Sequence, residues 1–174
     1  MKKLILLLST LPLLATAKIA DSGFYLNAGF GAGSLNYYSG GTTAVMRVAG
    51  GYNFNQNIGV QLGINNYFGA TISNSNGTFG MSGYSGDISF LPNLPIGPNN
   101  EFSVFMRLGF GEDVLNSTYA NQNNFVDVLG VGLKYDISAH LAASLEWIGR
   151  GLLTNPGEAK YTQNMALATI GFYF

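Results

Sequence analysis

The stretch "HLAASLEWIGR", His140 to Arg150, decides the fold. In an extended chain it places Leu141, Ala143, Leu145 and Trp147 on one side and Ala142, Ser144, Glu146 and Ile148 on the other. Strict alternation of this kind is the period-two signature of a β-strand with two unlike faces. It also raises a question of energy, because a carboxylate, Glu146, stands in the middle of the strand.

Seven further runs alternate in the same way. They are Gly23 to Gly33, Thr43 to Phe54, Ile58 to Phe68, Ser82 to Leu91, Phe102 to Gly111, Val126 to Tyr135 and Met165 to Phe174. In the first, Phe24, Leu26, Ala28 and Phe30 oppose Tyr25, Asn27, Gly29 and Gly31. Numbered in chain order, with His140 to Arg150 as the seventh of eight, the second and third are joined only by "NQN", a hairpin connection, and the sixth and seventh by "DISA". After runs one, three, five and seven come stretches of about ten residues or more, rich in Asn, Ser, Gly and Thr, which read as long loops. The connection after run four, "PNLPIGPNNE", carries three prolines. Because proline cannot donate to a ladder, this connection is expected to lie outside the sheet.

Composition separates two all-β possibilities. The chain of 174 residues is only 10% charged, against ~25% in ordinary soluble domains, and holds 24 Gly, 12 Phe and 10 Tyr. A soluble barrel puts its polar face in water and fills it with Lys, Glu, Arg and Thr. Here the polar face is mainly Gly, Ser, Asn, Ala, Gln and Thr, groups that fit a narrow filled lumen. Aromatic residues near run ends, among them Phe24, Tyr52, Phe54, Phe68, Tyr135, Trp147, Phe172 and Phe174, suit the headgroup level of a bilayer. An even number of strands, long loops at one end and short turns at the other then predict an eight-stranded antiparallel transmembrane β-barrel.

The N-terminus fits that destination. Met1, Lys2 and Lys3 precede an apolar run from Leu4 to Leu14 and the small residues of Ala15-Thr16-Ala17. The run is too short to span a bilayer, and the pattern reads as a cleavable signal peptide over 1–17 ahead of a barrel over 18–174. Without Lys2 and Lys3, six of the eight Lys and Arg remain against nine Asp and Glu, a formal charge of −3. No basic face exists for nucleic acid. There is no cysteine, hence no disulfide and no lipid-modified N-terminal thiol.

"GGYNFNQNIGVQLGINNYFG" (Gly50 to Gly69), "VGLKYDISAHLAASLEWI" (Val131 to Ile148) and the terminal "IGFYF" (Ile170 to Phe174) resemble the hairpins and closing strand of the small OmpA/OmpX-like outer-membrane barrels. The resemblance spans essentially the whole chain after the signal peptide. It implies a multi-pass protein of the bacterial outer membrane with outer-membrane lipid around it. It also implies that Ile170, Phe172 and Phe174 form a signal read by the barrel assembly machinery. The chain stops at the closing strand, so no periplasmic domain is expected.

Catalytic motifs are sparse. His140 is the only histidine, and His140, Ser144 and Glu146 lie on one strand about 13 and 20 Å apart, too far to form a relay. The glycines of "GFGAGS" lack the helix that a nucleotide loop requires. Neither a metal cluster nor a cofactor motif is present. Parity instead puts four mid-strand ions on the inward face: Arg47, Asp87, Arg107 and Glu146. An Arg turned to lipid would cost ~2 to 4 kcal/mol at the midplane, so these four are expected to meet across the lumen and plug it, with the pairing left open. The expected role is surface contact with host or envelope components through the loops, with Tyr37, Tyr38, Tyr119 and Tyr161 as contact residues. A narrow channel for water or small ions, and a lipid-modifying enzyme, are the alternatives.

Overall fold

The structure, a computed structural model, describes residues 22–36, 41–74, 77–117, 121–153 and 162–174. Its eight strands are β1 (Gly23–Asn36), β2 (Gly41–Asn55), β3 (Ile58–Asn74), β4 (Gly77–Ile96), β5 (Phe102–Ser117), β6 (Asn121–Asp136), β7 (Leu141–Arg150) and β8 (Thr162–Tyr173). Each pairs with the next in antiparallel fashion, and β1 closes on β8 with Tyr25 opposite Tyr173, giving a barrel with no free side. The signal-peptide reading of 1–17 falls outside the described residues, as do Tyr37, Tyr38, Tyr119 and Tyr161.

Alternation in the sequence becomes alternation across the wall. Along β2, Val45, Arg47 and Ala49 are buried while Met46 and Val48 are exposed. On the outside, Phe24, Phe30, Leu62, Ile64, Leu145 and Phe125 are each more than half exposed. A band of bare Phe, Leu and Ile around a whole protein is a surface made for hydrocarbon. Its ends carry ring pairs. Phe24 and Tyr52 meet at 4.8 Å and Phe102 and Tyr135 at 4.7 Å near the rim that holds the chain termini, and Phe110 and Phe125 meet at 5.8 Å toward the opposite, loop rim.

Two expectations about connections are corrected. First, most of the long loops are strand. The pairing of β3 with β4 runs to Asn74 opposite Gly77, so only 75–76 lie between them, and β5 pairs with β6 up to Asn116 opposite Asn121. Hydrophobic periodicity records a change of solvent across the wall, and it vanishes where both faces of a hairpin are wet although the ladder continues. At the point where β3 leaves the wall, the register shifts between Tyr67 and Ala70, and Gly69 takes a φ of 58°, a bulge conformation that glycine accepts without strain. The longest connection is the one after β7, from 151 to 161.

Second, Pro92 and Pro95 lie inside β4, and the connection to β5 shrinks to 97–101. The reason lies in which neighbour each residue addresses. The Asn93 N–H donates to Asn57 O on the β3 side at 2.7 Å. Two residues on, Pro95 faces the same way but past the start of β3 at Ile58, where no ladder needs a donor. Pro92 faces β5 where the β4–β5 pairing is interrupted, between Phe90 opposite Leu108 and Asn93 opposite Phe105. Both prolines therefore stand where the sheet asks for nothing.

Candidate functional site

Among the described residues, six ions in the lumen are no more than 6% exposed: Arg47, Asp87, Arg107, Asp113, Glu146 and Arg150. They come from β2, β4, β5 and β7. Arg47 faces Asp87 in a two-pronged pair, Nη1 to Oδ2 at 2.7 Å and Nη2 to Oδ1 at 2.9 Å. Arg107 holds Glu146 by Nε to Oε1 at 2.6 Å and Nη2 to Oε2 at 3.1 Å. Arg150 donates from Nε to Asp113 Oδ1 at 2.8 Å, and its Nη1 reaches Asp87 Oδ2 at 3.2 Å. Asp87 is the hub, since Arg107 Nη1 also lies 3.6 Å from its Oδ1. Planar guanidinium forks match carboxylates in this way, which a lysine could not do.

Neutral groups complete the set. Arg47 also donates to Asn65 Oδ1 at 2.9 Å and to Gln61 Oε1 at 3.1 Å. Gln61 Nε2 donates to the Tyr25 hydroxyl, Asn65 Nδ2 to Ser85 Oγ and Ser89 Oγ to Asp87 Oδ1. An apolar cluster lies beside them: Val45, Tyr67, Val128, Ile148, Met165 and Leu167 pack together. Three arginines and three carboxylates leave this interior with no net charge.

Room for the arginines comes from glycine. A Cβ on Gly63 would overlap the Arg47 guanidinium, and one on Gly111 would stand 2.8 Å from Arg150 Nη2. Glycines one or two strands away thus let the long arginines lie along the inner wall of an eight-stranded lumen that is only wide enough to be filled.

Of the ions singled out in the sequence, Arg47 and Asp87 meet, as do Arg107 and Glu146. Arg150 and Asp113 were missed. Arg150 shares the parity of Glu146 but ends its run, and Asp113 shares the parity of Arg107 but lies two residues beyond the point where the alternation fades. Carrying the parity to the last residue of run seven and one step past run five would have found both. Ile170, Phe172 and Phe174 all point outward, each about half exposed or more, and the Phe174 N–H donates to Phe24 O at 3.0 Å. His140, Ser144 and Glu146 have separate partners: Tyr173 O for the His140 ring, the Thr169 hydroxyl for Ser144 and Arg107 for Glu146. Among the described residues no cluster of His, Asp and Glu is placed to hold a metal ion.

A closed eight-stranded wall with an apolar outside and a paired ionic inside defines an integral β-barrel of the bacterial outer membrane. The chain belongs to the outer membrane protein β-barrel domain family, whose model matches residues 4–174. No curated protein sequence matches it. Solved structures share the fold, three of them as follows. The Neisserial surface protein A structure is 12% identical with a TM-score of 0.72, covering 88% of this chain and 99% of that one. The N-terminal β-barrel domain of Pseudomonas aeruginosa OprF is 14% identical with a TM-score of 0.61, covering 87% and 98%. The attachment invasion locus protein Ail of Yersinia pestis, in complex with the heparin analogue sucrose octasulfate, is 12% identical with a TM-score of 0.53, covering 88% and 99%.

Proposed function

We propose that the protein is a closed surface barrel, a rigid wall through the outer membrane that does not conduct and that presents its loop rim to host or envelope material. One observation carries this reading: six paired ions, 0 to 6% exposed, and a packed apolar cluster beside them occupy the lumen. With an even strand count both termini lie on the side from which the chain is inserted, so the loop rim faces outward. There β3–β4 and β5–β6 continue as paired hairpins, a stiff mount for recognition residues.

The kind of partner differs from that of Ail in its sulfated complex. A polyanion needs exposed cations. Here three of the six Lys and Arg that follow residue 17 are buried in the lumen, and a fourth, Lys134, lies at the other rim. On the loop side the sequence offers Glu112, Asp127 and Glu158 against Lys160. A neutral surface, such as an uncharged glycan or a protein, suits this rim better, with Tyr37, Tyr38, Tyr119 and Tyr161 as its first contacts. Surrounding lipid, the assembly machinery at Ile170, Phe172 and Phe174, and removal of 1–17 complete the proposal.

The decisive experiment is conductance in a planar bilayer together with binding of purified protein to host cells or envelope extracts. A closed lumen gives no unitary openings. Steady openings in the unaltered protein would move the assignment to a narrow channel. The enzyme alternative has little support, because His140, Ser144 and Glu146 are each engaged elsewhere. A change in lipid A mass on overexpression would restore it.

A further inference from the structure

At the loop rim the wall is uneven. β7 stops at Arg150, opposite Val128, while β6 extends beyond that level as far as Asn121. The chain that leaves β7 does not climb with it. Gly151 takes a φ of 70°, a left-handed turn that suits glycine, and the backbone folds over Asp127. Asp127 then gathers three successive amides. The Gly151 N–H donates to Asp127 O at 3.0 Å, the Leu152 N–H to Oδ2 at 3.2 Å and the Leu153 N–H to Oδ1 at 2.9 Å.

Asp127 itself points out of the wall. Val126 and Val128 on either side of it are fully buried, and its partner across the ladder, Phe110, is 55% exposed on the lipid face. From Tyr135 at the opposite girdle to Asp127 is eight residues, a climb of about 20 Å at the ~40° tilt of such strands, within an apolar band about 25 Å tall. Phe125, two residues further and 67% exposed, marks the upper edge of that band. A carboxylate at this height is tolerated because backbone N–H groups take up both of its oxygens.

The same amides decide where two leucines go. A Cβ on Gly149 would stand 2.7 Å from Leu152 Cδ1 and 3.0 Å from the Trp147 ring, so the Leu152 side chain lies over Gly149 on the outer face of β7, beside Trp147. Leu152 is 40% exposed and Leu153 67%. Both continue the apolar band past the end of the strand, and that continuity names what surrounds them. We propose that Leu152 and Leu153 are a lipid anchor, set in the outer leaflet at the boundary between headgroups and acyl chains, with Asp127 as the positioning residue that holds them there. The connection of 151–161 therefore begins on the membrane surface, whereas the β3–β4 and β5–β6 hairpins stand above it. The anchor is independent of what the loop rim recognises.

The test uses the single tryptophan of the chain. Trp147→Phe removes it, after which Leu153→Trp gives one reporter at 153, and Asn123→Trp in the same background gives its counterpart on the exposed extension of β6. Each protein is reconstituted in phosphatidylcholine vesicles, with brominated acyl chains as the quencher in the membrane and iodide as the quencher in water. Gel mobility of the unboiled sample verifies folding. The reporter at 153 should emit further to the blue than that at 123, lose intensity to brominated lipid and resist iodide, and the reporter at 123 should do the reverse. Asp127→Ala should shift the emission at 153 to the red and open it to iodide. Asp127→Asn keeps one acceptor and should fall between, and it serves alone if Asp127→Ala does not assemble. Equal iodide quenching at 153 and 123 overturns the proposal. So does protection of 153 from both quenchers, which would place a second copy of the chain over the leucines, and so does a reporter at 153 indifferent to both Asp127 substitutions.

Discussion

Asp87 is the residue on which most of the interior depends, since Arg47, Arg107 and Arg150 all direct a guanidinium nitrogen at it. Removing it leaves three buried cations against two carboxylates. Breaking a buried ionic set from one side typically costs ~3 to 5 kcal/mol, so Asp87→Ala should lower the free energy of unfolding by about that amount. Glu146→Ala should cost less, because Glu146 answers to Arg107 alone. Urea titration of the folded barrel orders the two, and equal losses would contradict the hub. Gly63→Ala tests the same network from the neighbouring strand β3. The Arg47 guanidinium that the new methyl would strike is held by four hydrogen bonds and has nowhere to withdraw, so ~1 to 3 kcal/mol should be lost by the same titration. At this scale parity in the sequence located Arg47, Asp87, Arg107 and Glu146 on the inner face. It could not say which acid each arginine takes, because that depends on how the wall curls and not on any one strand.

At the scale of elements, the sequence was informative wherever one face met lipid. All eight strands were recognisable, and β7 began within a residue of its expected start. It was uninformative wherever both faces met water, which is why the tips of β3, β4, β5 and β6 read as loops. The proline rule also misled, because it counts a missing donor without knowing whether a neighbour stands opposite. The tight connection between β3 and β4, 75–76, makes a concrete forecast. An epitope inserted between Asn74 and Gly77 should leave assembly unchanged and be reached by antibody on whole cells, because the β3–β4 ladder ends at that pair and the insertion breaks none of its bonds. Loss of the folded form would count against a protruding hairpin. At the other end of the chain, deletion of Phe174 removes one ring contact to Phe172 at 5.2 Å and one backbone bond to Phe24. Burial of one ring is worth only ~1.5 to 3 kcal/mol, so stability should fall modestly. If the terminal aromatic pattern is a docking signal, the amount assembled in the outer membrane should fall far more. Equal effects on both would reduce Phe174 to packing.

For the whole molecule, closure makes the strongest forecast. With β1 joined to β8, detergent finds no edge from which to open the sheet, so the unboiled protein should migrate faster on a gel than the boiled one. Identical mobility would be incompatible with the closed wall. The ionic set adds something that backbone pairing cannot supply. It links strands that are not neighbours: β2 to β4, β5 to β7, and β7 back to β4. A strand inserted one residue out of step keeps its backbone bonds but turns every side chain to the opposite face. For β7 such a slip would push Glu146 and Arg150 together into hydrocarbon and strand Arg107, Asp87 and Asp113 inside without them. The lumen thus proofreads assembly. A correctly wound barrel conceals its ions, whereas a miswound one displays them to the membrane, where it is least tolerated and most readily discarded.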